Sequence, residues 1–522
     1  MPPSLGSLHD AKSLVYVIFS KTRQEWPEFL LHRCLIQLSD NSISGKDPTM
    51  TELYANVDTA ALKADAEDCM LSFGSAFHPD IITHAKGGYI YTSDGHRMLD
   101  WTSGQMSCLV GHGNPEIVET ITQHASNLDH LFSGMLSPPV IQLGKKLTSL
   151  TPPGLDKAFF LSTGGESNEA AIKLAKSYTG KFEIVGLSAS WHGVTGVVSE
   201  TFPHLELPDI DGEQAAAAQY LSGRTGHGPM MPGSLMLPAP NSYRSIFRHA
   251  DGSHDWRTEL DYGFSMVDKQ SCGSLAALIV EPILSSGGML VLPDGWLAAA
   301  KAHCEARGML LIVDEAQTGV GRAGDMFAFE HCGVVPDILT LSKTLGNGIP
   351  LAAVVTSDEI ARVTKENGFL FYTTHINDPL PAAVGLKVLE IVVRDGLVGN
   401  SKRLGAKLQA GLRRLQDRYG CLGDVRGRGL MAGVEIVSDR ETKQGAAELG
   451  FQISSKMAEL GVWAQLSSLP AFGGVFRIAP PINITEEQME YGLAIMEEAL
   501  RITPGTMPLY DVSAETEVLS RL

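Results

Sequence analysis

Six short apolar runs, separated by stretches with helical periodicity or turn residues, constrain this chain more than any other feature. They are AFFLST (158–163), EIVGLS (183–188), LAALIVEP (275–282), MLLIVDE (309–315), ILTLSK (338–343) and PLAAVVTS (350–357). A strand that is apolar at nearly every position has no face to give to water and must be covered on both sides. Such runs alternating with amphipathic helices predict an α/β fold with a large, mostly parallel sheet between helical layers. In sheets of this kind ligands gather at the carboxyl ends of the strands. Residues 201–235 break the pattern with Pro, Gly, Asp and an Ala-rich patch, and read as a surface insertion centred on 201–218. After Pro379 a helical pattern at 382–393 leads into a second region. There, helices near 399–417, 445–460 and 485–501 alternate with the strand-like VRGRGLMAGVEIV (425–437) and VFRIAPP (475–481), which predicts a smaller α+β domain.

Composition narrows the function. The 522 residues are 44% hydrophobic and 19% charged, which is globular and not disordered. Lys and Arg number 41 against 59 Asp and Glu, a net charge of -18 that repels phosphate backbones and anionic headgroups, so neither nucleic acid nor a membrane surface is an expected partner. No stretch approaches the roughly 20 apolar residues of a bilayer crossing. The seven cysteines (Cys34, Cys69, Cys108, Cys272, Cys304, Cys332, Cys421) form no C-x-x-C pair or zinc spacing. They read as reduced thiols of an intracellular protein, each acting as a small buried hydrophobe.

Chemistry concentrates at the strand ends. ILTLSKTLGNGIP (338–350) delivers Ser342 and Lys343 to a Gly-rich turn, where a lysine adds nothing to strand stability. Alone, Lys343 reads more readily as a solvated strand-end residue, so a chemical role for it depends on what else converges. MLLIVDEAQTGVGR (309–322) ends a buried strand in Asp314 and places Gln317 three residues on. A carboxylate there needs a cationic partner, or it caps the following helix. LSTGGESNEAAIKLAK (161–176) breaks from strand through small residues into a helix, which exposes backbone N–H groups at a positive helix end, and SWHG (190–193) adds an aromatic at the sheet edge. An anion cradle, a carboxylate for a ring nitrogen, a stacking aromatic and a nucleophilic lysine are together what pyridoxal 5′-phosphate requires.

The set STGGESNEA, SWHG, EPI, DEAQTGVGR, LSKTLGNGIPL and YTTH resembles the class III aminotransferases of the fold type I group over residues 77–500, apart from the insertion. Within that class the chain is most similar to the 2,2-dialkylglycine decarboxylases. The segments that carry this are DWTSGQMSCLVGH (100–112), DHLFSGMLS (129–137), EPILSSGGMLVLPDGW (281–296), FLFYTTHINDPLPAAVGL (369–386), CLGDVRGRGLMAGVEIV (421–437) and GGVFRIAPP (473–481). The expected organisation is a first segment of the small domain (51–110), the large cofactor-binding domain (111–385) and the rest of the small domain (386–503); composition alone marks an N-terminal appendage (1–50) and a mobile tail (504–522), about which, as about the insertion, the resemblance says nothing.

The resemblance implies that Lys343 carries the cofactor, Asp314 holds the pyridinium proton and Gln317 meets the ring's phenolic oxygen. Thr163, Gly164 and Gly165 would cradle the phosphate, Trp191 would stack on the ring, and Thr374 of a second copy would complete the phosphate site of a homodimer or homotetramer. Arg477 would bind the substrate carboxylate, with Gln105 and Ser286 touching its oxygens. Gln105, Lys343 and Trp191 form the implied catalytic set. Leu131, Ser133, Thr374, Ile376 and Asp378 match an alkali-cation site for K+ or Na+. The expected reaction removes CO2 from a 2,2-dialkylglycine and aminates a 2-oxo acid; simple amino-group transfer from an ω- or α-amino acid is the alternative. Val194 and Phe472 depart from the decarboxylase pattern near the side-chain pocket. The terminal Ser520-Arg521-Leu522 resembles a peroxisomal address, with the cytosol as the other expectation. Asp10, Glu25, Glu28 and Asp40 argue against a mitochondrial presequence.

Overall fold

All six apolar runs are strands of one seven-stranded sheet in the computed structural model, which describes residues 54, 57–71, 77–193, 232–469 and 473–506. In chain order the strands are β1 (Lys157–Leu161), β2 (Glu183–Leu187), β3 (Ser234–Leu237), β4 (Leu275–Val280), β5 (Leu310–Asp314), β6 (Ile338–Leu341) and β7 (Ala352–Thr356). They lie side by side as β1-β7-β6-β5-β4-β2-β3. The four pairings from β6 across to β3 are parallel, and β7 runs against both β6 and β1. Period-two alternation sends neighbouring side chains to opposite faces. Ala277 and Ile279 pack with Ala170, Ala171 and Leu174 of helix α1 (Gly164–Thr179), while Leu278 and Val280 pack with Phe264 of α2 (Trp256–Gln270) and Leu297 of α3 (Trp296–Arg307). Every residue of β4, β5 and β7 is buried. At about 1.5–3 kcal/mol for each fully buried Val, Leu or Ile, these strands fix the sheet firmly.

β3 is an edge strand that the sequence reading missed. Its first two residues, Ser234 and Leu235, fall within the stretch 201–235 that reads as an insertion. VRGRGLMAGVEIV is a hairpin and not one strand: β8 (Leu422–Arg428) turns at Gly429, which has φ +55°, into β9 (Met431–Asp439). With β10 (Gln465–Leu469) and β11 (Gly473–Ile478) they form an antiparallel sheet in the order β8-β9-β11-β10. Helices α4 (Pro379–Arg394), α5 (Leu397–Arg418), α6 (Ala447–Glu459) and α7 (Glu486–Ile502) occupy the predicted helical stretches. An N-terminal antiparallel ribbon, Ile82–Lys86, Tyr89–Thr92 and Arg97–Asp100, adds Val462–Trp463 in parallel to its last strand.

The chain divides into two compact units, Met1–Asn56 and Val57–Leu522, and the elements above belong to the second. The expected appendage, the 201–218 insertion and the end of the tail lie outside the described residues. Among the described residues no helix is long and apolar enough to cross a membrane. The six described cysteines are free thiols. Cys304 and Cys421 are the buried hydrophobes expected of all; Cys69 and Cys272 are exposed, because they stand at the ends of polar helical segments.

Candidate active site

The carboxyl ends of β5 and β6 bring the two central groups together. Asp314 closes β5, pairs in register with Thr340 of β6, and is buried. Lys343 opens a short 3-10 turn, Lys343–Leu345, two residues beyond β6. Burial lowers the pKa of Lys343; Asp314 and Glu281 oppose this, while Arg477 adds to it. The amine is thereby moved toward the neutral, nucleophilic form.

Burial raises the pKa of Asp314, but the neighbouring His192, together with the Ala316 N–H and Lys343, outweighs it and holds the carboxyl below its usual range. His192 Nδ1 lies 2.8 Å from Oδ2, so the proton sits on Nδ1. Asn168 Nδ2 donates to the same oxygen at 2.7 Å and to the His192 carbonyl at 2.8 Å, and Thr340 Oγ1 donates to Asn168 Oδ1 at 2.6 Å. The Ala316 N–H donates to Oδ1 at 3.0 Å. This arrangement keeps an anion where a protonated ring nitrogen needs a counter-charge.

Thr163 caps α1 through a reciprocal capping box with Glu166. Its hydroxyl accepts from the Glu166 N–H at 3.3 Å, and the Glu166 carboxylate accepts from the Ser162 and Thr163 N–H groups. Gly164 and Gly165 then supply the first-turn N–H groups, which have no intrahelical acceptor. A Cβ on Gly164 would come within 2.8 Å of Ser342 Oγ, so only glycine leaves this hollow open. That Ser342 hydroxyl is buried and makes no hydrogen bond. An unsatisfied hydroxyl beside free helix-end amides, one residue before Lys343, fits a phosphate bound at this end of the sheet.

The Trp191 N–H donates to Glu281 Oε1 at 2.8 Å. Burial pushes Glu281 up to about 7. Arg477 sits on β11 between Gly433 and Gln465, and its Nη1 donates to Gln465 Oε1 at 3.1 Å. Its Nη2 donates to Ser285 Oγ at 3.0 Å and Gln317 Oε1 at 3.1 Å, with the Met106 sulfur at 3.6 Å. Gln317 also accepts from Ser285 Oγ at 2.8 Å, so its carbonyl oxygen faces the guanidinium. The serine that touches Arg477 is Ser285, one residue before the expected Ser286, which is buried. Gln105 is exposed on the turn Ser103–Met106.

Thr374 is exposed in the loop after residue 368. Of the implied cation set, Ser133 Oγ donates to the Thr373 carbonyl at 3.2 Å, which draws the segment holding Leu131 to the segment holding Ile376. Asp378 instead engages His130 and His375. Val194 and Phe472 lie outside the described residues. Asn168, His192, Glu281, Ser285 and Gln465 were not singled out from the sequence. The first four stand inside motifs already recognised, and that was their only signal, strengthened for His192 and Ser285 by a marked residue next door.

A mainly parallel sheet that offers a buried lysine, a carboxylate and a phosphate hollow at one edge defines a pyridoxal-phosphate enzyme of the fold type I group. The chain belongs to the class-III aminotransferases, whose family model matches residues 74–500. It is 51% identical to an uncharacterized aminotransferase of Schizosaccharomyces pombe over 438 residues, 84% of this chain and 94% of that protein. It is 32% identical to a mitochondrial alanine–glyoxylate aminotransferase 2 homolog of Arabidopsis thaliana over 424 residues, 80% of this chain and 82% of that one. Among solved structures, an (S)-enantioselective omega-transaminase from Thermomicrobium roseum superposes with a TM-score of 0.76 at 29% identity, covering 86% of this chain and 100% of the other.

Proposed function

We infer that this aminotransferase couples loss of CO2 from a 2,2-dialkylglycine, such as 2-aminoisobutyrate, to amination of a 2-oxo acid, pyruvate foremost, giving a ketone and L-alanine. The observation that carries this reading is the turn Ser103–Met106. Ser103, Gly104 and Met106 all have positive φ (46°, 66° and 59°). Strain of that kind is retained where the surroundings impose it. The turn carries Gln105 and then Met106, whose sulfur touches both Arg477 and Ser285. This supports a reading in which a charged carboxylate position at Arg477 and a neutral one at Gln105 serve the two half-reactions.

Thr163, Gly164, Gly165 and Ser342 would hold the phosphate of pyridoxal 5′-phosphate, and Trp191 and Asp314 its ring. The cofactor, when bound, supplies the electron sink for whichever bond at the amino acid's α-carbon is broken. Asp314 keeps the counter-charge for the ring nitrogen. Arg477 binds the carboxylate that must stay, bidentately in its planar fork. Gln105 offers a donor without full charge to the carboxylate that must leave, so the ground state is not held too tightly. Lys343 Nζ, moved toward the neutral amine, takes up and returns a proton as general base and acid. The active unit is a homodimer or a dimer of dimers, in which Thr374 of one protomer completes the phosphate site of the other. In support, Thr374 is exposed on its own chain near exposed Leu370 and Tyr372.

The second reading is ordinary amino-group transfer without CO2 loss. The names of relatives favour it, since they include alanine–glyoxylate, 4-aminobutyrate and 5-aminovalerate aminotransferases. Incubating the holoenzyme with 2-aminoisobutyrate and pyruvate separates the two. Equal yields of CO2, acetone and alanine support decarboxylation; transfer from alanine or 4-aminobutyrate, with no CO2 from 2-aminoisobutyrate, establishes the ordinary reaction.

A further inference from the structure

Asp378 stands at the N-cap of α4, a position where a carboxylate normally accepts from the helix's first N–H groups. Here it makes no capping bond. Its carboxylate is buried, and its two oxygens face two imidazoles: Oδ1 lies 2.6 Å from His130 Nδ1, and Oδ2 lies 2.6 Å from His375 Nδ1. The imidazoles come from segments 245 residues apart in sequence, and their ring centroids are 5.1 Å apart. One donor atom from each of the three residues falls within 4.8 Å of the others. Around a tetrahedral ion with bonds of about 2.0–2.1 Å the donors stand ~3.4 Å apart, so the set closes around a single ion when the two 2.6 Å contacts open and any wider separation, within 4.8 Å, shortens.

We propose that His130, His375 and Asp378 bind one divalent transition-metal ion of the zinc type, as a three-ligand N2O site with positions left open to water. Two imidazole nitrogens and a carboxylate are the donor set such ions select, whereas alkali cations prefer hard oxygens. The site differs in donors and in the class of ion from the alkali site implied by the sequence resemblance, which uses Asp378 with Leu131, Ser133, Thr374 and Ile376. The two sets compete for one carboxylate. An ion at the imidazole set ties the 130–133 segment to the 373–378 segment, two strips of chain already joined by the Ser133–Thr373 hydrogen bond. It therefore fixes the loop that carries Thr374. The inference rests on neither the decarboxylase reading nor the cofactor.

The test uses chelator-treated holoenzyme dialysed against Zn2+ or Ni2+, with metal content measured per chain. Uptake of one ion per chain is expected. The single variants His130→Ala and His375→Ala should each lose more affinity than the roughly 10–100-fold that follows loss of a mere supporting partner. Retention of cofactor absorbance and thermal stability shows that the variants are folded. Should either fail to fold, the visible d–d bands of Co2+-loaded wild type report directly whether nitrogen ligands surround the ion. Uptake unchanged in both histidine variants, absence of saturable uptake, or complete displacement of Zn2+ by K+ would each overturn the proposal.

Discussion

Replacing Asn168 with Ala tests how the site keeps its buried carboxylate anionic. The Asn168 side chain spends all its bonding inside: it donates to Asp314 at 2.7 Å and to the His192 carbonyl at 2.8 Å, and accepts from Thr340 at 2.6 Å. Asn168, Asp314, His192 and Thr340 are each at most 2% exposed, so water cannot replace a lost bond. A hydrogen bond to a charged group contributes about 1.5–3 kcal/mol. If that is spent on the ionised Asp314, cofactor affinity should fall about 10–150-fold, at 1.4 kcal/mol per decade. The sign with pH follows. Asp314 is held below the usual carboxylate range, so its contribution is present above that range and is lost as pH falls through the lowered value. With Asn168 gone, affinity should disappear at a higher pH on acidification. Titration of the apo-protein with pyridoxal 5′-phosphate across pH, followed by fluorescence quenching, measures both effects. Thr340→Val, which removes only the outer bond, should show a smaller version, and Thr340→Ser should restore wild-type behaviour. A lower melting temperature for Asn168→Ala, with unchanged affinity and pH profile, would refute the reasoning and leave Asn168 as packing.

Lys343→Ala should abolish turnover and the borohydride-reducible cofactor adduct, yet leave the circular dichroism spectrum intact; an adduct at the same site in the variant refutes the assignment. Gln105→Ala should slow CO2 release from 2-aminoisobutyrate by about 10–100-fold while sparing alanine–pyruvate exchange, and Arg477→Leu should do the reverse. Equal losses in both half-reactions would make Gln105 a general support. Glu281, raised from 4.5 to about 7 by burial, contributes most to stability below its unfolded value and loses that contribution as pH rises through about 7. Denaturant unfolding of Glu281→Gln should thus show a gain over wild type that grows across this window to on the order of 2–3 kcal/mol, and a pH-independent difference would contradict it. A fluorescent fusion to the last dozen residues, ending Ser520-Arg521-Leu522, should enter peroxisomes of a eukaryotic host; a cytosolic signal counts against the address.

The sheet was legible because its strands have no polar face, and a strand apolar throughout leaves the chain few alternatives. β3 was hidden for the opposite reason. SLML is four residues long, its middle pair is only partly buried, and the Pro- and Gly-rich segment before it carries stronger turn signals. Lys343 and Asp314 could be read because a charge at the end of an apolar strand conflicts with its surroundings and demands a partner. Asn168, His192 and Ser285 could not, because polar residues in a helix start or a turn are ordinary until burial and orientation are known. Ser285 and Ser286 show this at its sharpest. Adjacent and chemically identical, they differ only in which one the strand end turns toward Arg477.

The network around these residues explains why they must be buried together. Asp314 without its neighbours would be driven to the neutral acid by burial, and a neutral acid offers no counter-charge to a ring nitrogen. Lys343 left in water would stay an ammonium and could not act as nucleophile or base. The same dry surroundings act in opposite senses on the two. They push Lys343 toward the uncharged form, while His192 keeps Asp314 ionised against that push. Parallel pairing of β5 with β6, Asp314 opposite Thr340, places the two groups near each other through backbone register alone. Helix α1 then inserts Asn168 between Thr340 and Asp314, from the same turn-and-helix unit whose glycines open the phosphate hollow. One sheet edge and one helix start thus set the charge of the acid and the shape of the anion site. A substitution in either is expected to disturb both.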